Sequence, residues 1–389
     1  MESKKFNFVN WPIYGDEEIN SLKEVLESGF WAGSRAKYIK EVRKNFLDMQ
    51  HGEYGFAVAN GTVSIESALK ALDISFGDEV IVPALTFYST VSAVIRMNAD
   101  PVIIDVDKDD FCMDLDELEK AITPKTKAVI VVHLAGAMCD MDRLMSIASK
   151  HGIAVIEDCA HAHGSEWKGK GAGTFGEFGS FSFQHSKLIS SGEGGFVIAK
   201  TQELEDKAWN YVNCGRESRT SVYGHSTVGT NNRMSDFQAA VLNAQILRYK
   251  NHQQEIRENN YKYLTEELSA IKGIKVQKYN ENMTKKAFYN YVIMIDPEVY
   301  GSEKCAYIFN KFHEDDVPTG LPYPPLTDLK IFDDYKNKNE IPYLNVTLND
   351  TPNARYISEN SIWLHHRVLL SDRSEVEKFV VYFKELLNE

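Results

Sequence analysis

The chain has no surplus of positive charge. Its 43 Lys and Arg stand against 56 Asp and Glu, a formal net charge of −13. That balance excludes a broad basic footprint, so neither nucleic acid nor an anionic membrane is expected as a partner. No window approaches the roughly 20 apolar residues needed to span a bilayer. The first residues, MESKKFNFVNWPIYGDEE, hold two lysines but no apolar core and no small-residue cleavage site. No secretion signal is read there, and a cytoplasmic location is expected. Cysteine is scarce and scattered. The five, Cys112, Cys139, Cys159, Cys214 and Cys305, are odd in number and form no CxxC. A disulfide framework and a zinc site are both excluded on that pattern.

There is no shortage of material for a core. At 389 residues and 43% hydrophobic content, the chain has room for two or three domains at roughly 150 residues each. Apolar strand-like runs are expected at residues 79–85, 101–106, 127–133, 153–157, 180–184 and 195–199. Several are apolar throughout, as strands buried on both faces of a mostly parallel sheet should be. Helical patterns at 63–72, 90–97, 115–122, 141–150 and 204–212 alternate with them. That rhythm predicts an α/β fold with helices on both faces of the sheet.

Two helices, over 16–28 and 38–49, precede this region. A long helical stretch over 235–271, either two helices or one bent helix, follows it. A strand at 289–295, a helix near 303–314, a Pro-rich loop GLPYPPL and an amphipathic helix over 373–387 complete the chain. The expected division is a large domain over 1–250 and a smaller α+β domain over 251–389, with the N-terminal helix packing on the small one.

Several residues carry chemistry. Asp158 ends an apolar strand at the sheet edge where open α/β folds bind ligands. It could serve as a base, a metal ligand or the partner of a cationic ring nitrogen, or simply cap a loop. Lys187 follows the strand-like GSFSFQ and precedes the small residues SSGEGG. A lysine held between buried strands can act as an amine nucleophile, although a surface turn is the competing reading. Asn60-Gly61-Thr62 opens a helix, where backbone N–H groups suit a phosphate. Ser182 adds a hydroxyl, and Phe87 an aromatic ring able to stack on a flat ligand. His161 and His163 would share a face if they lay on a strand. With no third ligand in view, no metal is expected. A phosphate cradle, a stacking ring, a carboxylate and a lysine together match the needs of pyridoxal 5′-phosphate.

Six segments, NGTVSIESALKAL, GDEVIVPALTF, VIEDCAHAHGS, GSFSFQHSK, SGEGG and TNNRMSDFQAA, resemble in content and order the DegT/DnrJ/EryC1/StrS aminotransferases. Their fold is the type I pyridoxal-phosphate transferase fold. The resemblance implies transfer of an amino group from glutamate or glutamine to a ketone of a sugar, nucleotide-linked or free, or of a keto-cyclitol. It implies Lys187 as the Schiff-base lysine and Asp158 facing the pyridine nitrogen. Gly61, Thr62 and Ser182 would hold the phosphate, and Phe87 would stack on the ring. His161 stands where many members carry Gln, beside the ring oxygen. Asn231 matches an asparagine that reaches the phosphate of the neighbouring subunit, which implies a homodimer with shared sites. Trp31 and His185 match regions near the acceptor pocket. Arg216, Arg219 and Arg233 are candidates for the donor carboxylate. EDCAHAHGS with FSFQ resembles the keto-cyclitol and aminohydroxybenzoate branch. Two rivals remain: a sugar dehydratase, whose relatives replace the lysine by histidine, and a non-catalytic regulatory protein with the same fold.

Overall fold

The computed structural model describes residues 5–33, 35–217, 223–320, 322–332 and 345–389, with only the main chain of residue 252. Strand Thr126–Val132 shows how the sequence builds the centre. Five of its seven residues, TKAVIVV, are β-branched, and nearly all are buried. Successive side chains point to opposite faces. Val129 and Val131 therefore enter one core with Phe46, Val155 and Phe181, while Ile130 and Val132 enter another with Leu69, Val94 and Ile156. The lack of polar alternation reports burial on both sides, as read from the sequence.

Eight strands form the main sheet. In spatial order they are Tyr54–Val58, Gly195–Ala199, Phe178–Ser182, Ala154–Asp158, Thr126–Val132, Glu79–Pro83, Asp100–Ile104 and Thr347–Leu348. Only Gly195–Ala199 runs against the others. The expected strand at 180–184 sits two residues earlier, and Tyr54–Val58 was not expected. Parallel register aligns Val132 with Asp158, and Asp158 with Ser180. The C-terminal ends of neighbouring strands thus meet along one edge. Helices return the chain with clear stops. Met141–His151 begins at Asp140, whose carboxylate accepts the Arg143 N–H at 3.1 Å, and ends at Gly152 with φ 66°. Such a cap contributes about 1 kcal/mol.

A second, antiparallel sheet joins Ile274–Val276, Asn290–Ile295, Ser361–His365 and Thr319–Gly320. Helices Gln254–Ser269, Lys304–Glu314 and Arg373–Asn388 pack on it around Leu264, Ile293, Phe312, Leu364, Phe379 and Phe383. The chain then crosses back: Ala354, Ile357 and Trp363 belong to the core of the large sheet. The N-terminal helix, Asp16–Ser28, does not pack on the small sheet. It lies along helix Asp236–Arg248, where Arg248 pairs with Glu18 at 2.7 Å and Val25 enters the large core. The segment before it is what reaches the small core, through Phe6 against Tyr382. The long helical stretch is continuous. Asp236–Arg248 passes through a π-helical segment, Tyr249–Gln253, into Gln254–Ser269. Among the described residues, no helix is long and apolar enough to cross a membrane.

Candidate active site

A cavity of about 800 Å³ opens at the C-terminal edge of the parallel strands. Asp158 enters it from the end of its strand and Lys187 from the turn after Phe178–Ser182. The two side chains are 6% and 9% exposed. Asp158 accepts from the Thr90 hydroxyl at 3.0 Å and from the Ala160 N–H at 3.2 Å. Thr86 shares a hydrogen bond with Thr90 at 2.9 Å, which extends the chain of hydroxyls behind the carboxylate. Burial pushes the Asp158 carboxyl above the usual carboxylate range. Ala160, Thr90 and the Lys187 ammonium pull the other way. A cation held against Asp158 would complete that opposing pull.

The other wall is the start of helix Gly61–Ala71. Asn60 caps it, accepting the Val63 N–H at 3.0 Å. Gly61 is required there: a Cβ would lie 2.8 Å from the Ser182 Cβ. Gly195 is required as well, because its Cβ would meet the Asn60 carbonyl oxygen at 2.4 Å. These close approaches bring the free N–H groups of a helix N-terminus together with the Thr62 and Ser182 hydroxyls. That arrangement suits a phosphate without a cationic side chain.

His161 and His163 do not share a face. The strand ends at Asp158, and residues 159–164 turn, with Gly164 at φ 74°. Alternation stops with the strand, so the two rings diverge. His161 faces the cavity and stacks on Tyr289 at 4.1 Å, and its Nδ1 accepts the Ala135 N–H at 3.2 Å. The proton of the neutral ring therefore sits on Nε2. Desolvation and Lys187 hold its pKa well below the usual histidine value. His163 turns into the core, where its Nε2 donates to the Ser182 carbonyl at 2.9 Å, and burial lowers its pKa to about 3. Among the described residues, His133, Glu157 and Cys159 form the one cluster with metal-ligand atoms within 4.8 Å of one another. Glu157 there is already engaged by the N–H groups of Gly173, Phe175 and Gly176 and by His133. That pattern is a buried structural carboxylate.

Phe87 lies at the cavity mouth, largely exposed, 6.0 Å from Tyr323. Asn231 is exposed and does not line the cavity of its own chain, although Thr230 and Asn232 do. Trp31 packs on Phe237, and His185 is exposed on the turn before Lys187; neither lines this cavity. Arg233 donates to Asn213 at 3.0 Å, Arg216 is exposed beside Tyr223, and Arg219 lies outside the described residues. The arginine that does line the cavity is Arg96, paired with Glu66 at 2.6 Å. Arg96 and Tyr323, which line the cavity, and Thr90 and Tyr289, which contact Asp158 and His161, are not picked out by the sequence. Tyr323 was visible only as part of the Pro-rich loop, and Thr90 only as the first turn of a helix after a strand.

The profile of the DegT/DnrJ/EryC1/StrS aminotransferase family matches residues 12–381. The L-glutamine:2-deoxy-scyllo-inosose aminotransferase of Micromonospora echinospora is 34% identical over 394 residues, covering 97% of this chain and 93% of that protein. The crystal structure of 3-amino-5-hydroxybenzoic acid synthase has a TM-score of 0.88 at 31% identity, covering 98% of this chain and 99% of that one. Spr1654 from Streptococcus pneumoniae, solved in its PLP form, has a TM-score of 0.86 at 26% identity, covering 98% and 99%. With a match across nearly its whole length and a cavity built to suit, this chain belongs to the DegT/DnrJ/EryC1/StrS aminotransferase family.

Proposed function

We propose that this pyridoxal-phosphate-dependent aminotransferase moves an amino group from glutamine or glutamate to a ketone on a polyol ring, a keto-cyclitol before a nucleotide-linked sugar. One observation carries the reading. Lys187 and Asp158 open into the same cavity as the Gly61 helix terminus and the Thr62 and Ser182 hydroxyls. Gly61 fits that role because a side chain there would fill the cradle. The keto-cyclitol preference rests on the similarity to the Micromonospora enzyme and to 3-amino-5-hydroxybenzoic acid synthase.

When bound, pyridoxal phosphate supplies an electron-accepting ring that lowers the barrier to losing a proton from the donor α-carbon. The chain supplies the rest. Gly61, Thr62 and Ser182 would hold the phosphate, Asp158 the ring nitrogen in its protonated state, and Phe87 a ring face. His161 would present its Nε2 proton to the ring oxygen. The Lys187 Nζ would bind the cofactor covalently and, once displaced by the donor's amine, would carry the proton from the donor α-carbon to the cofactor carbon that it had been bound to. Tyr289, 4.9 Å beneath the Lys187 Nζ, limits where that amine can swing.

Asn231 would serve the cavity of a second copy, making the active unit a homodimer; its exposure in a single chain supports this. The division near residue 250 is proposed, with Ala354, Ile357 and Trp363 returning to the large core. A cytoplasmic setting is proposed on the free thiols, four of them buried. The function is tested with cofactor-loaded protein in two half-reactions. L-Glutamine should discharge the cofactor's long-wavelength absorbance, and 2-deoxy-scyllo-inosose should restore it faster than a nucleotide-linked keto-sugar. Failure of every amino donor to discharge it overturns the reading.

A further inference from the structure

We propose that Arg257 and His366 are positioning residues for the reactive amine. They form a hydrogen-bond relay from Gln253, at the end of the π-helical segment of the long helix, to the Ser186 carbonyl, and so fix the turn that presents Lys187. The inference rests on Lys187 being that amine.

Arg257 is fully buried, and among the described residues no carboxylate pairs with it. Its Nη1 donates to the Gln253 Oε1 at 3.0 Å and its Nη2 to the His366 Nδ1 at 3.3 Å. Its Nε has no hydrogen-bond partner among the described residues. The ring faces of Trp11 and Tyr249, 5.8 and 5.6 Å away, take the place of a counter-ion. A buried guanidinium without a carboxylate is a costly device for stability alone.

Its chemical consequence is specific. A guanidinium only donates, so the His366 Nδ1 must accept. The ring proton is then confined to Nε2, 3.1 Å from the Ser186 carbonyl, to which it donates. His366 is itself fully buried and edge-on to Trp11 at 4.4 Å. The Trp11 Nε1 donates to the preceding carbonyl, that of His185, at 3.0 Å. Two successive carbonyls just before Lys187 are therefore held by rings from distant segments. The turn is closed from inside by the Lys187 N–H donating to the Gln184 carbonyl at 2.9 Å. Such outer partners set the orientation of a reacting group they never touch.

The test uses the cofactor-loaded full chain with three variants. His366→Phe keeps a ring and removes the donor. His366→Asn is smaller, polar and too short to reach Ser186. His366→Gln restores an N–H at the Nε2 position. The readouts are the single-turnover rate with saturating L-glutamine, the pH midpoint of the cofactor's absorbance and the melting temperature. Phe and Asn are expected to slow the single turnover by about tenfold or more, since small misplacements of reacting groups cost that much. The glutamine concentration for half-maximal rate should stay within about twofold, because the donor's own contacts are untouched. The absorbance midpoint should shift in both, and Gln should recover most of the rate and the midpoint. Should Phe fail to accumulate, Asn carries the same comparison with Gln. Wild-type rate and midpoint in Phe or Asn would overturn the relay. So would equal losses in all three variants that follow melting temperature. A failure of the Lys187 assignment appears instead in the unaltered protein, as cofactor not attached to that lysine.

Discussion

Lys187→Ala, purified with pyridoxal phosphate present, is expected to lose transamination by on the order of 10⁴-fold, the scale at which a positioned acid–base group contributes. The covalent attachment and the proton carrier vanish together, so no other nearby group compensates. His161, which also lines the cavity, is unsuited as a replacement base. Its Nδ1 is occupied by the Ala135 N–H, and its pKa is held well below the usual value. Folding should survive, because removing a nearly buried ammonium relieves desolvation. Steady-state assay beside a melting curve checks this. A variant within tenfold of the native rate would remove Lys187 from the chemistry.

The second large effect is at Asp158. Asp158→Asn should lower the loaded enzyme's rate by about 10²–10³-fold, as losing one preorganised charge does. Without cofactor the sign reverses for stability. Burial raises the carboxyl's pKa in the folded chain, so the folded state binds its proton more tightly than the unfolded state. The residue's contribution to stability is then best at and below the unfolded value, about 3.9. It declines as pH rises from there through the raised folded value. Asparagine does not titrate. The cofactor-free variant should therefore melt at or above the native temperature at neutral pH, with the gap closing toward pH 4. Calorimetry at several pH values checks it. A lower melting temperature for Asn at neutral pH would show that the ionised carboxylate is already favourably paired without cofactor.

The contrast between these residues and their neighbours shows what a sequence exposes. Lys187, Asp158 and Gly61 were legible because each sits beside a strand end or a helix start, and local pattern locates those. The unbroken apolar runs reported strands buried on both faces, and register then brought their ends to one edge. Thr90, Tyr289 and Tyr323 were not legible. They come from a helix, the residue before a strand of the second sheet, and a loop, and only the tertiary arrangement brings Thr90 to Asp158, Tyr289 to His161 and Tyr323 to the cavity wall. The His161 and His163 pair failed for a local reason. Period-two reasoning needs a strand, and the strand stops at Asp158. The N-terminal helix failed for another: its apolar stripe fitted either core, and the Arg248–Glu18 pair with its neighbours selects the large one. Trp31, His185 and Asn231 lie off the cavity of a single chain.

The central claim is that Lys187 is the residue to which the cofactor is bound. Borohydride reduction of the loaded protein, followed by proteolysis and mass mapping, tests it directly. The account predicts a single pyridoxyl-phosphate mass addition on the peptide carrying Lys187. An addition on a different lysine, or none on a protein that still transaminates, would contradict it.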